Sequence, residues 1–521
     1  CRWNDGEVTT PDGFKKAWDL YVENGWCTMS QPVEFGGQGM PPSLGNVFGE
    51  LVASANHGWA MYATLTWGAI KTAAFYAEDA VKQKYIPPMV EGRFTGTMCL
   101  TEANAGSDLG LLRTKAEPND DGTYSITGSK IFITSGDHDL AENIIHIVLA
   151  RLPDAPDGVK GISLFLVPKF HVNDDGSVGE RNGVTCGSIE HKMGINGSAT
   201  CVLNFDGARG YLLGEPNKGM RQMFTFINES RLMVAQQAQG AMEKAYQGSV
   251  EYARERLQMR APVRVLKDKP ADPIIVHPDI RRMLLTQRSL SEGTRLLAYY
   301  CAQQIDITHF GDDAQKARAD TLLALLTPIV KGFASEVANE AASYGIQVYG
   351  GHGYVKEWGM EQIARDARIA SIYEGTTGIQ ALDLLGRKVL GTEGKVMEPF
   401  IEEVRSFIEQ AGSNDDMQPT LDALGAKIDE WQALTADIAK AAGSNPDEIN
   451  ASAYDYLMYS GYVTVAYFLA RSMFAALAGD GSDFYQEKID TANFYFARLL
   501  PRTLAHAATI RSGAGTIAKV S

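Results

Sequence analysis

The feature that most constrains the fold of this chain is a double change in the period of its hydrophobic residues. Up to about residue 95 the apolar residues recur with helical spacing. Residues 14–24 are amphipathic, and residues 44–76 are long, apolar and Ala-rich. From about Thr95 to Leu213 the spacing falls to two, and residues 124–126, 130–134, 144–149, 162–167 and 201–205 read as strands. Residues 119–122 and 174–176 read as hairpin turns. No helical run separates these strands, so an antiparallel β domain is expected rather than a βαβ sheet. From about Asn217 helical spacing returns, with helices expected at 220–259, 279–310, 312–348 and 376–390. Four prolines within residues 262–278 mark a linker.

A chain of 521 residues suits three or four domains at roughly 100–200 residues each. The pattern predicts an α+β protein in four parts. An N-terminal helical domain (1–95, incomplete at its start, the first residue being Cys1) precedes a central β domain (96–216). A C-terminal helix bundle (217–392) and an additional helical domain (393–521) follow. The net charge of −15 argues against whole-surface binding to nucleic acid or anionic membrane. No membrane span is expected, since the best apolar run, 463–478, is interrupted by Arg471. Six scattered cysteines without a CxxC pattern suit reduced thiols, and a cytoplasmic, bacterial setting is expected.

The common nucleotide and metal motifs are missing. There is no GxGxxG, no GxxxxGK[ST], no HExxH and no GxSxG. Three other segments stand out. Met98-Cys-Leu-Thr-Glu-Ala-Asn-Ala-Gly-Ser-Asp-Leu109 is either a plain loop or a close backbone approach to an anion, with Thr101 and Ser107 as hydroxyl donors. Gln347-Val-Tyr-Gly-Gly-His-Gly-Tyr354 is either a helix C-cap or a backbone approach to a cofactor. In Arg365-Asp-Ala-Arg-Ile-Ala-Ser-Ile-Tyr-Glu-Gly-Thr-Thr-Gly-Ile-Gln380, Glu374 is either a first-turn carboxylate favoured by the helix dipole or a carboxylate base in an apolar pocket.

In this order, and with a β domain between helical ones, these segments resemble the acyl-CoA dehydrogenase family. The likeness covers nearly all of residues 15–390. Leu100-Thr-Glu-Ala-Asn-Ala-Gly-Ser-Asp108 is similar to the family's first signature and Ile372-Tyr-Glu-Gly-Thr-Thr-Gly-Ile-Gln380 to its second. Gln347-Val-Tyr-Gly-Gly351 and Arg256-Leu-Gln258 match two flavin-contact motifs. The added C-terminal domain resembles a large bacterial branch acting on fatty acyl-CoA or 3-methylmercaptopropionyl-CoA.

The resemblance implies an FAD enzyme of fatty acid β-oxidation that converts an acyl-CoA to its trans-2-enoyl-CoA. Glu374 would take the α-proton while a hydride leaves the β-carbon for flavin N5. The base's own N–H would bind the thioester oxygen, with Gly375 allowing the turn. For FAD it implies Leu100 and Thr101 at the ring, Ser107 by the pyrophosphate, Gly106 as a further cofactor-binding residue, and Phe132 and Thr134 flanking the ring. Thr376 would close the site. Ser107, Gly375 and Arg231 would face substrate, Arg231 otherwise lying on a solvated helix face. Arg256, Gln258, Gln347 and Gly351 would reach the FAD of a neighbouring subunit. Several positions depart from the family pattern: Phe132 for Trp, Met259 for Phe, Asn228 for Asp and Gly378 for Gln.

A homo-oligomer follows, and a homodimer is favoured because the added domain covers the tetramer surface. Electron-transfer flavoprotein would be the acceptor, with no nucleic acid partner and no metal. The competing readings are an acyl-CoA oxidase and a DNA-binding flavoprotein of the same fold. The latter needs a basic C-terminal domain, whereas residues 393–521 carry ten basic and eighteen acidic side chains, a net of −8.

Overall fold

The computed structural model describes residues 1–519, which form two compact units divided between Met233 and Val234. The first opens with a hairpin, β1 (Arg2–Asn4) and β2 (Glu7–Thr9), followed by helices α1 (Phe14–Glu23), α2 (Pro42–Ala55), α3 (His57–Tyr76) and α4 (Asp79–Val90). The helix expected over 44–76 is therefore two. Asn56 is extended (φ −154°, ψ 98°), and its side chain accepts the Trp59 N–H, which starts α3 afresh.

Nine more strands follow: β3 (Phe94–Cys99), β4 (Lys115–Pro118), β5 (Tyr124–Thr134), β6 (Asn143–Arg151), β7 (Ile162–Pro168), β8 (Phe170–Val172), β9 (Val178–Arg181), β10 (Val184–Ile189) and β11 (Thr200–Leu213). Strands β8 and β9 pair with each other, and the other seven form one sheet. The two strands expected at 124–126 and 130–134 are one, β5. Most ladders are antiparallel, as expected, but β3 runs parallel to β6 from Phe94↔Asn143 to Cys99↔Val148. A parallel pair needs a crossover rather than a hairpin, and irregular chain and two other strands supply it here.

The middle of the sheet is buried on both faces. Ile145, Ile147 and Leu149 of β6 pack with Leu65, Ala69 and Ile70 of α3, while Val148 and Ala150 pack with Phe165 and Leu203 on the other side. Helix α3 lies so close to β3 that a Cβ on Gly96 would come within 2.3 Å of the Ala69 Cβ.

Helix α5 (Gly219–Glu255) begins in the first unit and ends in the second, four residues short of its expected end at Met259. The chain beyond it bends back through a bridge between Leu257 and Pro273. Helices α6 (Pro278–Phe310), α7 (Asp313–Tyr349), α8 (Met360–Ala367) and α9 (Thr377–Leu382) complete the bundle. The helix expected over 376–390 is α9 followed by a π-helical turn, Asp383–Val389.

Five more helices follow: α10 (Glu398–Ala411), α11 (Gln418–Ala442), α12 (Asp447–Leu477), α13 (Asp483–Arg498) and α14 (Thr503–Ser512). The long helix α12 packs against α6, α7 and α9 and also against α11, α13 and α14. Arg502 to Glu340 (2.7 and 2.8 Å) and Tyr300 to Glu403 (2.6 Å) join these helices to the bundle. Among the described residues the candidate membrane span is α7, not the stretch over 463–478. By length and apolarity it could cross a membrane, but 72% of its most apolar window is buried in the protein.

Candidate active site

The first signature loop leaves the end of β3 and is tied down by a buried ion pair. Lys130, fully buried on β5, sends its Nζ to Glu102 Oε1 (2.8 Å) and to the Leu100 carbonyl (3.0 Å). Glu102 also accepts the N–H groups of Arg113 (2.6 Å) and Thr114 (3.0 Å) and the Thr114 hydroxyl (2.6 Å). Burial by itself would raise the Glu102 pKa. The Lys130 charge and these donors outweigh it and hold the carboxyl below its usual range. Glu102 and Ala105 exchange both backbone hydrogen bonds at 3.0 Å, so the loop closes on itself. The Ile131 N–H donates to the Thr101 carbonyl (2.9 Å), joining the loop to β5.

Phe132 follows at once. Its backbone is left-handed (φ 58°) and its ring is 59% exposed. That conformation costs a non-glycine residue about 1–2 kcal/mol. The neighbours hold it: Thr97 Oγ1 donates to the Thr134 carbonyl (2.5 Å) and the Ser135 N–H to the Ala199 carbonyl (2.7 Å). Leu100, Thr101, Phe132 and Thr134 thus lie along one hydrogen-bonded seam, with Gly106 and Ser107 on its exposed loop. Arg231, in α5, is buried at 6% exposure, which overturns the alternative of a solvated helix face.

The second signature lies between residues 368–371, a 3₁₀ turn, and α9. Glu374 is half-buried and left-handed (φ 56°), and Gly375 follows at φ 87°. A Cβ at Gly375 would come within 2.5 Å of Gln380 Nε2. Lys331, fully buried in α7, donates to the carbonyls of Ala370 (2.8 Å), Tyr373 (2.8 Å) and Gly375 (2.6 Å). Gln380 Nε2 donates to the Glu374 carbonyl (3.1 Å). The Tyr373 hydroxyl donates to Gln237, and burial pushes that phenol well above its usual range. The Thr376 hydroxyl accepts the Ile379 N–H (3.2 Å), so it caps α9.

The remaining predicted residues gather at one end of the bundle. Tyr252 near the end of α5 stacks on Tyr349 of α7 (4.1 Å between centroids) and hydrogen-bonds His352 (2.9 Å). This brings exposed Arg256 and Gln258 to the end that carries Gln347 and Gly351. Buried Asp272 shapes the loop between them. It accepts N–H groups from Leu266 (2.8 Å), Ala261 (3.0 Å) and Val265 (3.0 Å) and the Arg264 guanidinium (2.8 Å). These donors, the Leu266 N–H first, lower its pKa to about 2. Met259, Val263 and Tyr354, 72%, 83% and 84% exposed, add apolar surface among exposed charged residues such as Arg256 and Arg260.

Known proteins share this architecture along the whole chain. Acyl-CoA dehydrogenase N-terminal, middle and C-terminal domains match residues 2–93, 97–208 and 217–390, and an acetyl-CoA dehydrogenase C-terminal-like domain matches 400–521. The chain is 42% identical to a 3-methylmercaptopropionyl-CoA dehydrogenase of Ruegeria pomeroyi, over 96% of this chain and 86% of that protein. It is 35% identical to the broad-specificity linear acyl-CoA dehydrogenase FadE5 of Mycobacterium tuberculosis, over 95% and 84%. A crystal structure of an acyl-CoA dehydrogenase from Bacillus anthracis, complexed with FAD, superposes with a TM-score of 0.80 at 22% identity, covering 96% of this chain and 83% of that one.

The chain belongs to the acyl-CoA dehydrogenase family.

It is therefore an acyl-CoA dehydrogenase, an oxidoreductase acting on CH–CH bonds. The residues fit the FAD that the family implies. The β-sheet seam offers an open aromatic ring at Phe132, and a Cβ at Gly106 would meet nothing within 4 Å. Those features suit a ring system and a phosphate approached by backbone. Lys130, Lys331, Gln380 and Asp272, which hold the loops of the candidate site, received no role from the sequence. For Lys331 a signal was present: it is the one charge within residues 321–335, in a run that otherwise reads as helix core.

Proposed function

We propose that this dehydrogenase removes the α-proton of a linear acyl-CoA with Glu374 and forms the trans-2-enoyl-CoA. The observation that carries this reading is a carboxylate on a left-handed turn whose flanking carbonyls are all hydrogen-bonded. A base needs a fixed carboxylate near the α-carbon and donors fixed on the developing enolate oxygen. Glu374 supplies the first and its own N–H the second. The α-proton goes to the carboxylate and its C–H electron pair becomes the new double bond, while the β-hydrogen departs with its electron pair. FAD supplies the two-electron acceptor for that hydride. Leu100, Thr101, Gly106, Ser107, Phe132, Thr134 and Thr376 are proposed to hold FAD, and Arg231, Ser107 and Gly375 to face the acyl-CoA.

Arg256, Gln258, Gln347 and Gly351 are proposed to reach FAD of a second subunit in a homodimer. The exposed Met259, Val263 and Tyr354 beside them support that association. Electron-transfer flavoprotein is the proposed acceptor, in a cytoplasmic setting. The substrate candidates are 3-methylmercaptopropionyl-CoA and unbranched fatty acyl-CoAs, after the relatives' names.

An anaerobic panel of these thioesters against purified FAD-loaded protein tests the reading through bleaching of the visible flavin band. One class should bleach the wild type and leave Glu374→Gln unchanged. No bleaching by any thioester would overturn it. Rapid recolouring by oxygen alone would mark an oxidase instead.

A further inference from the structure

We infer that Lys331 is a positioning residue that aims the Glu374 N–H at the substrate thioester oxygen; this rests on reading Glu374 as the base. A peptide unit is planar and trans, so its C=O and N–H point in opposite directions. The carbonyl of Tyr373 and the N–H of Glu374 belong to one such unit. Lys331 Nζ holds that carbonyl at 2.8 Å, so the Glu374 N–H points away from the ammonium. The same ammonium holds the Gly375 carbonyl at 2.6 Å, which fixes the unit on the other side of Gly375. Gln380 Nε2 holds the carbonyl between them, that of Glu374, at 3.1 Å. Three successive peptide planes around the base are thereby set from outside the loop.

The clamp is needed because the loop would not choose this path by itself. Glu374 at φ 56° lies where non-glycine residues are rarely found, and Gly375 at φ 87° has wide freedom. A peptide flip between Tyr373 and Glu374 would turn the N–H towards α7 and leave a carbonyl where the donor should be. Such a flip must take an oxygen from a buried ammonium, which opposes it strongly. The third bond, to the Ala370 carbonyl at 2.8 Å, anchors Lys331 to the 3₁₀ turn before the loop. Lys331 touches no reacting atom, and its effect is carried entirely by the backbone.

The test uses FAD-loaded enzyme and an acyl-CoA with a ¹³C-labelled thioester carbonyl. Infrared difference spectra read the polarisation of that carbonyl directly, without turnover. In the wild type the band shifts to lower frequency on binding. In Lys331→Met the shift is expected to shrink while acyl-CoA still binds, and kcat falls by about 10²-fold, the scale of losing one oxyanion donor, with KM within threefold. Lys331→Gln, which keeps two donor hydrogens, should recover part of both. Glu374→Gln should keep the infrared shift and lose turnover. A folded Lys331→Met with the wild-type shift overturns this inference alone, whereas a Glu374→Gln that still turns over overturns the base. If Lys331→Met does not fold, a crystal structure of wild type with acyl-CoA decides. The Glu374 N should lie within about 3.2 Å of the thioester oxygen, and a flipped Tyr373–Glu374 peptide sinks the proposal.

Discussion

Two loops carry the chemistry proposed for this enzyme, and each is held by a fully buried lysine in a different manner. Lys130 fixes the Leu100–Ser107 loop mainly through a carboxylate, Glu102, and only one carbonyl. Lys331 fixes the Glu374 loop through three carbonyls. A carboxylate partner cancels the lysine's charge and builds a rigid frame. A ring of carbonyls also fixes the direction of each peptide dipole it holds. The first arrangement suits a platform against which a cofactor rests, and the second suits a loop whose N–H groups must point one way.

The comparison predicts different failures. The largest effect belongs to Glu374→Gln: general base removal costs about 10²–10⁴-fold, so enoyl-CoA formation should fall at least that far, with the melting temperature little changed. Next is Lys130→Met. Removing one partner of a buried pair costs about 3–5 kcal/mol, so denaturant unfolding should register a loss of that size. The double variant Glu102→Gln with Lys130→Met should regain part of it. If Lys130→Met instead kept its stability and lost only turnover, the contrast between frame and aiming device would collapse.

A smaller effect is expected at Gly375→Ala. It places a Cβ in a left-handed residue, at about 1–2 kcal/mol, and against Gln380 Nε2 at 2.5 Å. Its kcat should drop more than its stability, and equal stability with unchanged kcat would show that the turn is not constrained. The pH response is a further probe. Burial lowers the pKa of His138 and His146 to about 3, so both stay neutral in the native state. The unfolded chain takes up protons below its ordinary histidine value of about 6.5, and the native state does not. Stability should therefore fall as pH drops from there towards 3. Glu102, with its pKa depressed, adds a further loss below 4.5. Circular dichroism melts across that range check the slope, and a flat profile would contradict the burial of these groups.

Much of the architecture was legible in the sequence because period is a local property. Helix α1 and the strands β6 and β7 follow directly from spacing. The break at Asn56 was not, since a single cap within an Ala-rich run leaves the period intact. The parallel pairing of β3 with β6 was also hidden, because pairing partners are set by distant chain. At the site, motif residues such as Glu374 could be named from their neighbours in sequence. Lys331 lies forty-three residues away in sequence and acts through carbonyls, which carry no side-chain identity to recognise.

The most direct test is anaerobic stopped-flow reduction of the bound flavin by an acyl-CoA carrying deuterium at the α-carbon, in wild type and Glu374→Gln. The account predicts a primary isotope effect on bleaching in the wild type and no bleaching in the variant. Bleaching by Glu374→Gln at the wild-type rate, with the same isotope effect, would contradict it.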